Sequence, residues 1–144
     1  MKKSKEFILQ AIEYAKMSAK QGGYPFGAII VRDNEIVGRS NIEKQAFDTT
    51  AHAEITAIRD ACTNLKTYDL SGCKIYSSCE PCAMCQSAIK WAGITEIYYV
   101  FDKSDAKAIG FYNKIFLDDI VNIKATKIKD DDLFQFMKKW YDNN

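Results

Sequence analysis

Cys79, Cys82 and Cys85 fall within seven residues, and no other feature limits so narrowly what this chain can fold into. Cys82 and Cys85 stand three apart, so a helix opened by Pro81 projects both sulfurs from one face of its first turn. Thiolates at that spacing suit zinc, but two of them leave a tetrahedral ion unfinished, and the remaining ligands must come from elsewhere. A chain of 144 residues with 47% hydrophobic content can fill a core without disulfides, so metal explains the cluster better than bridges do. Cys62 and Cys73 read as small buried hydrophobes.

Charge narrows the partners. The 20 basic and 19 acidic residues nearly cancel, so no strong field recruits a nucleic-acid backbone or an anionic membrane surface. A small neutral substrate fits better, and neither a nucleic-acid nor a membrane partner is expected. Met1 to Lys5 resembles a secretory leader, but Glu6, Gln10, Glu13 and Lys16 interrupt any apolar stretch after it. A cytoplasmic location is expected, with reduced cysteines.

Residues 4–20 carry apolar positions at helical spacing (Ile8, Ala11, Ile12, Ala15, Ala19), stopped by Gly22 and Gly23. Residues 27–32 and 35–39 favour strands, and Asp33-Asn34 between them suits a hairpin turn. A loop leads to a second helix capped by Thr49 or Thr50, with Ala53, Ala57, Ile58 and Ala61 as its stripe. A strand near 74–77, the cysteine helix to about Trp91, a strand at 96–101 and a short helix near 104–109 follow. Residues 121–128 alternate loosely like an edge strand, and 132–141 form a closing helix with Leu133, Phe136, Met137 and Trp140 inward. This order predicts one α/β domain over residues 1–144, with a mixed sheet covered on both faces.

His52 is the only histidine, and a lone histidine is more often structural than a ligand. Its setting argues otherwise. Glu54 lies two residues on, and the strand between the two helices lets their N-termini meet at one sheet edge. His52, Cys82 and Cys85 then give zinc three donors and one open position, as in catalytic sites. Zinc can lower the pKa of bound water to about 7, and Glu54 is placed to hold and move the proton. The competing reading is a closed structural knot with Cys79 as fourth ligand, which would make the chain a zinc-stabilised binding domain. Against it, Cys79 precedes the turn, and a structural knot has no use for Glu54. Glu80 reads as a negative charge at a helix N-terminus. Phe7, Phe47 and Trp91 are expected in the core, whereas Phe26, entering a strand at a glycine-rich turn, can stack on a flat substrate.

Thr50-Ala-His-Ala-Glu54 followed by Glu80-Pro-Cys-Ala-Met-Cys85 resembles the cytidine deaminase-like zinc deaminases. Gly22-Gly23, residues 25–28, residues 51–59, residues 78–82, Trp91 and Gly110-Phe111 resemble the bacterial guanine deaminases in order and spacing, over roughly residues 7 to 120. The resemblance implies an α/β/α sandwich with a mixed five-stranded sheet, a homodimer, and hydrolytic removal of an exocyclic amino group from a nucleobase, guanine first. Deamination of guanosine, of cytosine, or of adenosine in tRNA are the alternatives. It further implies that Phe26 stacks on the base, Asn41 hydrogen-bonds it and the Ala53 backbone lines the pocket. The resemblance also implies that a C-terminal aromatic, Tyr141 or Trp140, closes the site, with the tail of residues 129–144 exchanged between subunits. Asn113 stands where the guanine enzymes carry an acidic residue. It can hydrogen-bond a base but cannot relay a proton.

Overall fold

The computed structural model describes residues 2–43, 47–110, 124, 126–128 and 130–144. Helix α1 (Lys2–Lys20) turns Phe7, Ala11 and Ala15, one residue in four, onto the sheet. Strands β1 (Ala28–Arg32) and β2 (Glu35–Arg39) form a hairpin. Its turn residues Asp33 and Asn34 take φ of 51° and 62°, the left-handed pair that matches strand twist. Helix α2 (Ala53–Leu65) leads to β3 (Lys74–Cys79), α3 (Ala83–Trp91) and β4 (Glu96–Phe101). Helix α4 (Lys103–Ala108), closed by a reciprocal Asp102–Asp105 capping box, and α5 (Asp131–Asp142) complete the described elements.

The sheet order is β2-β1-β3-β4, with β1 antiparallel to both its neighbours and β3 parallel to β4 through the α3 crossover. Period-two alternation splits β1 between two cores. Ile29 and Val31 join Phe7, Ala11 and Tyr76 under α1, while Ala28 and Ile30 join Ala57, Ala61, Ile75 and Ile89 under α2 and α3. The result is an α/β/α sandwich. Gly38 permits one of its close approaches, because a Cβ there would collide with the Ala57 carbonyl and Ala61 of α2.

Several expectations need correction. Among the described residues the sheet has four strands, not five, and Lys124, Thr126, Lys127 and Ile128 carry no strand. Phe7 is in the core, but Phe47 and Trp91 are exposed. Leu133, Phe136, Met137 and Trp140 do not point into a core, because every residue of α5 is exposed in a single copy of the chain. No described helix is long and apolar enough to cross a membrane.

Candidate metal centre and active site

Two helix starts build the site. His52 is the N-cap of α2 (φ −68°, ψ 158°) and Cys82 the N-cap of α3 (φ −69°, ψ 172°), and neither side chain caps its own helix. The sequence expectation put Thr49 or Thr50 and Pro81 at these starts. Instead, the extended backbone of each N-cap frees its side chain to reach across to the other helix. Thr50 serves the preceding turn, where its amide and hydroxyl donate to Asp48 Oδ1 at 2.9 and 2.8 Å. Arg59 of α2 binds both residues, at 3.3 Å to Asp48 Oδ2 and 3.1 Å to Thr50 Oγ1, and so ties the approach to His52 onto the helix.

The Nδ1 atom of His52 lies 3.6 Å from Cys82 Sγ and 3.5 Å from Cys85 Sγ. Ligand atoms about 2.3 Å (sulfur) and about 2.0 Å (nitrogen) from a tetrahedral zinc ion lie about 3.5 Å apart, so the three donors fit zinc with Nδ1 as the histidine ligand. Among the described residues this is the one group of three potential ligands within 4.8 Å of one another. Cys79 is not in it. Buried on β3, its thiol is pushed up to about 12 by desolvation. The closed knot is therefore not what the fold assembles.

Without a cation the two sulfurs divide one charge between them. The hydrogen bond from Cys85 and the neighbouring His52 bring the Cys82 thiol down to about 4. The same bond to Cys82, together with burial, raises Cys85. Its hydrogen bond with Cys82 also raises His52 above the ordinary imidazole value. A divalent ion would replace these shared protons as the counter-charge.

Glu54 sits in the first turn of α2, 5% exposed, so its carboxylate must find partners inside the fold. It accepts a hydrogen bond from Ser77 Oγ at 2.7 Å and meets the Cys85 thiol. The loop before α3 is fixed from the far side. Glu80 donates its amide to the Phe101 carbonyl at 2.7 Å, and its carboxylate pairs with Lys103 at 3.7 Å in a half-buried ion pair.

The expected base-binding residues are partly assembled. The Asn41 backbone N–H donates to Thr56 Oγ1 at 3.1 Å, and that hydroxyl donates to the Ala53 carbonyl at 3.1 Å, so one buried threonine joins the Asn41 backbone to Ala53. Phe26 is half-buried and stacks on Tyr24, with ring centroids 6.1 Å apart. Tyr141 and Trp140 are exposed on α5, and Asn113 lies outside the described residues. Sequence reasoning missed Ser77 and Thr56. For Ser77 the signal was alternation: on a buried strand a polar residue in phase with Ile75 and Cys79 faces the same side and needs a partner.

Residues 1–101 match the family model described as the cytidine and deoxycytidylate deaminase zinc-binding region. The chain belongs to that family of zinc-dependent deaminases. Within the family it is 44% identical over 108 residues to the guanine deaminase of Bacillus subtilis, covering 73% of this chain and 69% of the relative. A solved structure of guanine deaminase from the same species superposes with a TM-score of 0.82 at 34% identity, over 96% of this chain and 93% of the other. A solved enzyme described as editing A to I at the wobble position of transfer RNA gives a TM-score of 0.65 at 36% identity, over 69% of this chain and 77% of the other.

Proposed function

We propose that this deaminase converts guanine and water to xanthine and ammonia. The observation that carries this reading is the extent of the likeness. Similarity to the structure named guanine deaminase runs through 96% of the chain, whereas similarity to the tRNA-editing enzyme covers 69% at comparable identity. Near-neutral charge agrees with a small base rather than a polyanion as substrate.

In this reading His52 Nδ1, Cys82 Sγ and Cys85 Sγ hold the zinc ion. When bound, zinc supplies Lewis acidity that makes water a nucleophile at neutral pH. The remaining work falls to the chain. Glu54 takes a proton from the water that adds to the amino-bearing ring carbon. It gives that proton to the adjacent ring nitrogen, then takes the remaining proton of the added hydroxyl and passes it to the amine, which leaves as ammonia as the carbonyl forms. The N-termini of α2 and α3 favour negative charge developing between them. Phe26 stacks on the base, while the Asn41 side chain and the Ala53 backbone read its edge. Asn113 adds a hydrogen bond without carrying a proton.

Helix α5 belongs to the active assembly. Leu133, Phe134, Phe136, Met137, Trp140 and Tyr141 are all more than half exposed, an apolar surface that a single soluble copy does not leave open. The chain works as a homodimer in which this helix closes a site, with Tyr141 or Trp140 at its mouth. The cytoplasm suits its five free cysteines.

Ammonia release from guanine, guanosine, cytosine and a tRNA anticodon stem-loop tests the assignment. Turnover of guanine, with the other three at least about 100-fold slower in kcat/KM, is expected. Turnover of another substrate in preference to guanine overturns the assignment while leaving the reaction class in place.

A further inference from the structure

We propose that Ser77 is a positioning residue for the reaction, holding the Glu54 carboxylate in place through a buried hydrogen bond. This role rests on the proton-carrying function proposed for Glu54.

Ser77 has no solvent exposure and lies on β3, facing α2. Its Oγ stands 2.7 Å from Glu54 Oε1 and 2.7 Å from the Cys79 carbonyl oxygen. A serine hydroxyl has one proton to donate and lone pairs to accept with, so it cannot donate to both oxygens at once. Directed at Oε1, the Ser77 proton fixes that oxygen of the carboxylate.

The surroundings make that hydroxyl hard to replace. Glu54 is 5% exposed, so bulk water is a poor substitute partner, and β3 is anchored on both sides by β1 and β4. The strand holds the Ser77 backbone rigidly. Its neighbour Ser78 is occupied elsewhere, accepting at Oγ from the Gly27 amide at 3.0 Å. Among the described residues Ser77 is therefore the one hydroxyl bonded to the Glu54 carboxyl group.

The test is Ser77→Ala in the full chain loaded with zinc, compared with wild type for kcat, KM, zinc content and the calorimetric Kd of the deaminated product. The expected result is zinc at one equivalent, product Kd and KM within about two-fold of wild type, and kcat lower by about ten-fold or more, the scale of a lost hydrogen bond to a charged group. Ser77→Thr, which keeps the hydroxyl, is expected to recover most of the rate. A zinc-loaded Ser77→Ala enzyme with wild-type kcat overturns the proposal, as does a loss that falls on KM or product Kd, or one that tracks lost zinc. Should Ser77→Ala not fold, Ser77→Cys replaces it as a near-isostere with a weak donor; it must also lose kcat, and a wild-type rate overturns the proposal. A wild-type chain that deaminates no base would instead sink the reading of Glu54, a result separable from any of these.

Discussion

At the scale of single residues, the site is a distribution of protons waiting for a cation. Cys82, brought down to about 4 by Cys85 and His52, is already a thiolate at neutral pH, while Cys85 is raised and keeps its proton. His52 is raised above the ordinary imidazole value, so it holds a proton to higher pH than a free imidazole does. Zinc needs both thiolates and a neutral imidazole. Binding at neutral pH should therefore release a proton from Cys85 and none from Cys82, with a His52 contribution that grows as pH falls. The dependence of calorimetric binding enthalpy on buffer ionisation measures this, and zinc affinity should fall as pH drops through the raised His52 value. Glu54→Gln keeps the shape of the side chain but not its capacity to carry a proton. It should retain zinc and lower kcat by about 10²–10⁴-fold, read from ammonia release. These residues were legible because their chemistry is scarce: one histidine, two cysteines three apart and one carboxylate beside the histidine. Ser77 and Thr56 were not, because serine and threonine are common and only the fold shows which acceptors they meet.

At the scale of elements, both helices of the site begin on a residue whose side chain turns away from its own helix. That is why the sequence misplaces the starts. Threonine at N-cap and proline at N1 are the usual choices, and here His52 and Cys82 displace them by a residue or more because their side chains are needed opposite one another. The hairpin is legible in Asp33-Asn34, since a left-handed pair between β-favouring runs has few other uses. Close packing of α2 on β2 sets where His52 and Glu54 stand. Gly38→Ala should push α2 away through Ala57 and Ala61, lowering stability by about 1–3 kcal/mol in thermal or denaturant unfolding. If the helix shifts as a body, zinc affinity falls with it.

At the scale of the whole molecule, the sandwich is legible in the sequence and its completion is not. Alternating elements and two-sided strands specify α1 on one face and α2 with α3 on the other. The amphipathic pattern of α5 is also plain, but a pattern states that a face will be buried without stating against what. Leu133 and Trp140, expected to point inward, are exposed in one copy of the chain. On the proposed homodimer, a chain ending at residue 130 should keep zinc binding, lose most of its turnover and sediment as a monomer. The central claim is narrower than any of these: a zinc-dependent deaminase that acts on guanine. Its most direct test is stoichiometric. The zinc-loaded chain, mixed with guanine, should form xanthine and ammonia one to one, lose this activity when zinc is stripped, and regain it when one equivalent is returned. Guanine left unchanged by the fully zinc-loaded protein, or turned over equally well by the zinc-free one, would contradict it.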